Sequence, residues 1–354
     1  MGIVYTKDLL PGMVVAQDVM NLNNQLIIAN NTTLTEFLID QLKASSILEV
    51  NVAGPITSVP SDNESYYEKI THSKSFRQFK EKFSDNTKSL KSAMDTILDG
   101  NKPIDSDNLI TQTKQMVSPK ATSIEIFDMI HNMRSYDDST YAHCMNVALI
   151  CRVMAKWLDL SDEDTEVLTL CGLLHDIGKV KISDAILQKP GKLTDEEYEI
   201  IKSHSQEGYN ILLNQNMDER IKTVALQHHE RCDGSGYPNH LDASQISDFS
   251  KLVAIADVYD AMTSARVYRK GLCPFKVISI FEEEGLQKYD PQFILTFLER
   301  IGSSYMNNNV RLSDGRIGEV VMINKNNLSR PMVKVGDEYV DLSKQLSLEI
   351  DEII

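Results

Sequence analysis

Apolar positions along the chain change period three times. Over residues 1–54 they come in short runs. Met1-Gly2 with Thr6 fits a loose lipidation pattern, for which a short strand start is the simpler reading, and Met13–Ala16, Leu26–Ile28 and Ile47–Val52 predict three strands among polar, Asn-rich turns. Between the last two, Leu34, Phe37, Leu38 and Leu42 fall at helical spacing. We read a small α/β accessory module. Residues 55–118 are rich in Ser, Lys, Asp and Asn and read as a partly helical linker, with one stripe: Phe76, Phe79, Phe83, Leu90, Met94, Ile97 and Leu98. The stripe fits a helix packed on its own chain or one that pairs in a homodimer. It is short for a sustained coiled coil, which favours the first. Asp99-Gly100 and Pro103 close it.

From 119 to 302 nearly everything reads as helix. Ser161 is an N-cap, followed by Asp162, Glu163 and Asp164 in the first turn, where negative charge meets the helix dipole. Val167, Leu168, Cys171 and Leu174 follow at helical spacing, and Gly178 reads as the stop. Thr194 and Glu197 make a capping box. Leu252–Ala256 is apolar without interruption, which implies a helix buried on all sides. The tail, 303–354, returns to strand period: Val310–Leu312 and Ile317–Ile323 around Ser313-Asp314-Gly315, then Pro331–Val335 and Tyr339–Leu342 around Gly336-Asp337-Glu338. The expected fold is therefore mainly α: a helical bundle with a small α/β module before it and a small β-rich, barrel-like appendix after it.

Composition narrows the partners. A formal charge of −15 argues against DNA or RNA, whose binding needs a positive surface. It leaves room for a small phosphate ligand in one locally positive pocket. No run approaches the roughly 20 apolar residues of a membrane helix, and the N-terminus shows no basic-then-apolar leader. Cys144, Cys151, Cys171, Cys232 and Cys273 are odd in number and contain no Cys-x-x-Cys pair. Reduced structural thiols in a cytoplasm account for them.

The chemistry concentrates in the helical stretch. His143, His175, His204, His228 and His229 lie there with Asp176 and Asp257. Imidazole and carboxylate together suit first-row metals, and helical bundles build metal sites from ligands on several helices. His175-Asp176 closes an apolar helix, so an ionised Asp176 there is costly unless paired or metal-bound. Asp257 directly follows the buried run. Taken alone it suits a structural hydrogen-bonding role as well as a metal, and a lone His on an apolar face is more often core than ligand. The joint occurrence of seven such residues in one domain carries the metal reading. Adjacent His228 and His229 point about 100° apart on a helix. They can serve together only if the helix end distorts or if two metals are present.

These residues sit in recognisable blocks. His175-Asp176-Ile177-Gly178-Lys179 resembles the His-Asp signature of the HD superfamily. His228-His229-Glu230-Arg231 with Asp233-Gly234-Ser235-Gly236-Tyr237-Pro238 resembles the longer signature of the HD-GYP proteins. Asp257-Val258-Tyr259-Asp260-Ala261-Met262-Thr263 with Arg266 and Tyr268 looks like that family's next block, and Pro190-Gly191-Lys192-Leu193 and Tyr289-Asp290-Pro291 also fit. The resemblance covers residues 119–302. It implies a phosphodiesterase acting on cyclic di-GMP or a related cyclic dinucleotide, with linear dinucleotide or GMP as product. One divalent metal would take His143, His175, Asp176 and Asp257. A second would take Asp176, His204, His228 and His229, with Asp176 bridging. Iron or manganese is the family expectation, and the ligand chemistry also admits zinc. Ser139 stands where some members carry a Glu that helps hold a third metal, so two are expected. By resemblance Lys179, Arg266 and Arg269 contact the phosphates; without it, Arg266 and Arg269 read as a solvated basic patch. Tyr237 packs against the site or donates a hydrogen bond to it. Two other readings stay open at this stage: a cyclic-dinucleotide sensor without turnover, and another HD-superfamily nucleotide phosphohydrolase. The Gly236-Tyr237-Pro238 loop and the Asp257 block count against the second.

Overall fold

The structure is a computed structural model. It describes residues 70–98, 103–133, 139–187, 189, 191–264 and 271–354 and, within the first 52, residues 2–6, 9, 13–20, 26–29, 32–35, 38–39, 42, 47 and 49–52. The chain divides into two compact units, Met1–Glu64 and Ser65–Ile354.

In the first unit, β1 (Gly2–Tyr5) pairs antiparallel with β4 (Glu49–Val52), and β2 (Val19–Met20) with β3 (Leu26–Ile28). The strand expected over Met13–Ala16 is reduced to two bridges, Val14 to Thr33 and Val15 to Val52. Leu9, Val15, Val19, Ile28, Leu34, Ile39, Leu42, Val50 and Val52 form its own core.

The second unit is helical until its last fifty residues. Helix α1 (Lys74–Leu98) buries Phe76, Phe79, Phe83, Leu90 and Met94 in the same core as the rest of the unit, together with Leu109 and Met116 of α2 (Ser106–Met116). The aromatic stripe is thus spent within the chain. α3 (Ser123–Met133) leads to α4 (Thr140–Trp157) and α5 (Asp162–Leu174), which pack side by side. Ser161 caps α5 by accepting from the Asp164 amide at 3.0 Å. The helix ends at Leu174, earlier than a stop at Gly178 implies, and the chain tightens into a 3₁₀ turn, Ile177–Lys181. After a single helical turn, Asp184–Leu187, come α6 (Asp195–Lys202), α7 (His204–Leu213) and α8 (Glu219–Gln227). The capping box Thr194/Glu197 forms at the start of α6.

Helix α9 (Asp248–Thr263) runs through the middle, touching α4, α5 and α8. Because neighbours surround it, the whole run Leu252–Ala256 is buried. α10 (Pro274–Ile280) continues through a π turn, Phe281–Gly285, and α11 (Pro291–Ser304) completes the helices. Both tail hairpins form: β5 (Asn309–Leu312) with β6 (Ile317–Met322), and β7 (Met332–Val335) with β8 (Glu338–Asp341). A further strand, β9 (Ile350–Ile353), pairs with β5. The order is β8-β7-β6-β5-β9, so the appendix is an open antiparallel sheet with β8 and β9 as edges, and not a barrel. Among the described residues, no helix is long and apolar enough to cross a membrane.

Candidate metal centre

Six elements deliver the seven singled-out His and Asp side chains to one place. His143 lies in the first turn of α4, behind its N-cap Ser139, whose Oγ accepts from the Ala142 amide at 3.2 Å. His175 caps the C-terminus of α5, and Asp176 opens the 3₁₀ turn. His204 is the first residue of α7, His228 caps the end of α8, and Asp257 comes from α9. Gly178 lets the turn and α7 meet: a Cβ there would lie 1.8 Å from the His204 carbonyl oxygen and 2.5 Å from the Gly208 nitrogen.

The adjacent pair His228-His229 is accommodated because α8 stops at Gln227. Beyond it the two rings tilt by 45° with centroids 4.1 Å apart, and both face inward. The loop that follows is pinned by Glu230, whose buried carboxylate accepts from the Asn239 amide at 2.7 Å and the Leu241 amide at 3.0 Å. Gly234 adopts φ +77° in that loop, a left-handed conformation that suits glycine.

The donor atoms sort into two adjoining groups. In one, atoms of Asp176, His204, His228 and His229 all lie within 4.8 Å of one another; in the other, so do atoms of His143, His175 and Asp257. Asp176 sits between them. Its Oδ1 is 3.3 Å from His204 Nε2 and 3.7 Å from His228 Nε2, and its Oδ2 is 3.4 Å from His175 Nε2 and 3.9 Å from His143 Nε2. Asp257 Oδ1 lies 3.0 Å from His143 Nε2, and its Oδ2 lies 3.8 Å from His229 Nδ1.

Backbone and carboxylate partners fix the rings from behind. Nδ1 of His175 donates to Gly172 O at 2.8 Å, Nδ1 of His204 to Ile201 O at 2.6 Å, and Nδ1 of His228 to Val224 O and Ala225 O at 3.1 Å. His143 Nδ1 faces Asp260 Oδ2 at 2.7 Å. With Nδ1 so engaged, each Nε2 is presented to the centre, the arrangement that orients metal-binding imidazoles.

Electrostatics sets most of these groups in the forms a cation needs. Burial opposes ionisation of Asp176, but Lys179 and His175 outweigh it and hold its carboxyl well below the usual range. Burial likewise opposes the charge on Asp257, and His143 outweighs it. Burial lowers the pKa of His228 to about 4 against the pull of Asp176. Burial, then His228, takes His229 well below the ordinary value. His143 is the exception. Burial works against its proton, yet Asp257 and Asp260 push its pKa up to about 10.

The residues present fit a divalent metal. Two buried atoms at the centre, His175 Nε2 and Asp176 Oδ1, make no hydrogen bond, a costly state that a cation between the two groups relieves. The N/O donor set suits a first-row metal. The Cys144 sulfur also lies within 4.8 Å of donors on His175 and Asp176. Burial and Asp176 raise its pKa well above that of an ordinary thiol in the metal-free chain.

Of the other predicted residues, Lys179 extends from the 3₁₀ turn to bond Asp176 Oδ2, and Asp176 lifts its pKa against the effect of burial. Tyr237 stacks on His229 with centroids 4.6 Å apart and 27° between planes. Arg266 and Arg269 lie outside the described residues. Three contributors were not assigned from sequence: Asp260, Glu230 and Cys144. Asp260 had a usable signal, since it stands one turn beyond Asp257 on the same face of a buried helix.

A helical bundle that gathers five imidazoles and two carboxylates at its centre defines a protein of the bundle-held metal-site class. The HD-domain family model matches residues 106–293, 188 of the 354 residues, and the chain belongs to that family. The chain is 39% identical over 204 residues to a cyclic di-GMP phosphodiesterase of Pseudomonas aeruginosa, covering 57% of this chain and 49% of that protein. It is 35% identical over 190 residues to a 3′3′-cGAMP-specific phosphodiesterase of Vibrio cholerae, covering 52% of this chain and 36% of that one. The chain thus spans about half or less of the length of these curated relatives. A solved structure described as an HDG"Y"P protein from Bdellovibrio bacteriovorus superposes with a TM-score of 0.53 at 16% identity, covering 85% of this chain and 99% of that chain, which establishes likeness of fold.

Proposed function

We propose that this chain is a metal-dependent phosphodiesterase that hydrolyses a cyclic dinucleotide, cyclic di-GMP or a close relative, to the linear dinucleotide or GMP. The observation that carries the reading is the pair of adjoining donor groups meeting at a buried carboxylate whose Oδ1 lacks a hydrogen bond. The names of the two phosphodiesterase relatives support the substrate class. We assign the chemistry to residues 119–302, with 1–54, 55–118 and 303–354 as accessory segments, in a reducing cytoplasm that suits five unpaired cysteines.

In this reading His143, His175, Asp176 and Asp257 hold one divalent ion, and Asp176, His204, His228 and His229 hold the other, iron or manganese in preference to zinc. The ions supply Lewis acidity and an activated water for in-line attack on phosphorus. The chain does the rest. Asp260 and the carbonyls of Gly172, Ile201, Val224 and Ala225 keep each Nε2 aimed inward. Lys179 brings a cation to the edge of the centre, where a phosphate oxygen can replace Asp176 as its partner. Arg266 and Arg269 add phosphate contacts. Tyr237 covers His229 and narrows the approach of water.

The test is turnover of cyclic di-GMP and 3′3′-cGAMP by anaerobically purified protein, with and without Mn²⁺ or Fe²⁺, products identified by mass. Metal-dependent formation of linear dinucleotide is expected. Intact dinucleotides in the presence of two bound metals would overturn the reading and leave a sensor.

A further inference from the structure

Helix α6 does not behave like the rest of the bundle. None of its eight residues is buried. It is fixed at its N-terminal end instead: the capping box closes there, and Lys189 Nζ donates to both Glu197 carboxylate oxygens at 2.8 and 2.6 Å. Two of its three large hydrophobic side chains, Tyr198 and Ile200, remain 50% and 45% exposed, so neither is spent on the core.

One turn beyond Tyr198, Lys202 places its Nζ 5.3 Å from the Tyr198 ring centroid and 5.8 Å from that of Tyr237. Both separations lie within cation–π range. Tyr237 in turn stacks on His229. A continuous path of rings with one cation therefore runs from the candidate metal centre to the surface: His229, Tyr237, Lys202, Tyr198. Lys202 also pairs with Glu199, but that carboxylate is exposed on the same helix, and such a pair is weak enough to exchange for a phosphate.

We propose that Tyr198, Lys202 and Tyr237 form a subsite for the nucleotide of the substrate that is not being cleaved, with its base stacked on Tyr198 and its phosphate facing Lys202. The inference rests on the phosphodiesterase reading above. A base stacked on an aromatic side chain is worth roughly 5- to 150-fold in binding. Energy gained so far from the reacting phosphorus appears in recognition of the whole dinucleotide and is absent for a small diester.

The experiment compares kcat/KM for cyclic di-GMP and for bis(4-nitrophenyl) phosphate, which has no base and no second phosphate, using the metal-loaded full chain. Tyr198→Ala and Lys202→Met should each lower the ratio of the two constants by about tenfold or more, mainly through KM for the dinucleotide. Tyr198→Phe should keep it. An unchanged ratio in Tyr198→Ala, whether both activities persist or fall together, overturns the subsite alone. Wild-type protein that cleaves no cyclic dinucleotide overturns the functional reading, and the subsite with it.

Discussion

Substituting alanine for glycine should have opposite consequences at two helical-domain positions. At Gly178 a Cβ would lie 1.8 Å from the His204 carbonyl oxygen, 2.5 Å from the Gly208 nitrogen and 2.8 Å from the His204 carbonyl carbon, all of them backbone atoms. Ordinary contact needs roughly 3.5 Å, so the 3₁₀ turn and α7 must part by about 1.7 Å at the closest pair. Either partner can yield, but neither can do so harmlessly. Moving α7 carries off His204, whose Nε2 is 3.3 Å from Asp176 Oδ1 and 3.2 Å from His228 Nε2. Moving the turn carries off Asp176 and Lys179. Overpacking of this kind costs about 1–3 kcal/mol, and a shift of about an ångström at reacting groups costs about 100-fold in rate. At Gly302, inside α11, a Cβ would meet Ile323 at 3.8 Å and Ile278 at 3.9 Å, ordinary contacts with side chains. Gly302→Ala should therefore stabilise by about 0.5–1 kcal/mol through the helix alone. Urea unfolding, metal content after loading and turnover of a cyclic dinucleotide measure all three effects. Gly178→Ala protein with wild-type stability, metal content and turnover would refute the close-approach argument.

Further outcomes follow from the same geometry. Asp260→Asn removes the charge that faces His143 Nδ1 at 2.7 Å, and it should weaken metal binding by roughly 10- to 100-fold in a chelator competition while leaving the fold intact. Glu230→Ala deprives the amides of Asn239 and Leu241 of their acceptor; hydrogen exchange at those two positions should accelerate, and unchanged protection would show that the loop is held by other contacts. In metal-free protein His143 keeps its proton up to about pH 10, so metal uptake near neutral pH should release that proton, seen calorimetrically as a dependence of the heat on buffer ionisation. The stability of that metal-free form should depend on pH in two windows. The raised pKa of His143 contributes fully below its unfolded value of about 6.5 and is lost as pH rises toward 10. His228, lowered to about 4, acts oppositely: stability falls as pH drops from about 6.5 toward 4, because the unfolded chain takes up the proton first. Flat stability across both windows in chelated protein would contradict these assignments.

What the sequence disclosed and what it withheld divide along physical lines. The helical bundle, the capping box at Thr194 and the two tail hairpins were legible because period and turn chemistry are local. The strand β9 was not, since its partner β5 lies some forty residues earlier and Ile350–Ile353 has no turn signal before it. The stripe of α1 was visible, but which core it joined was a tertiary matter settled by α2 and the bundle. Gly178 looked like a helix stop and proves to be a point of close approach, a role that depends on a carbonyl 26 residues away in sequence. The donor set shows the same division most clearly. His and Asp side chains are unusual enough in an apolar context to be picked out one by one. The groups that aim them are mostly backbone carbonyls, which every residue has and no sequence marks. Adjacent His228 and His229 left two solutions open, a distorted helix end or two metals, and the structure adopts the first without excluding the second. Ending α8 at Gln227 turns both rings inward, and Glu230 holds the following loop so that the end stays turned. The loop is therefore part of the machinery of the centre, because without it the helix would continue and His229 would rotate away from Asp176.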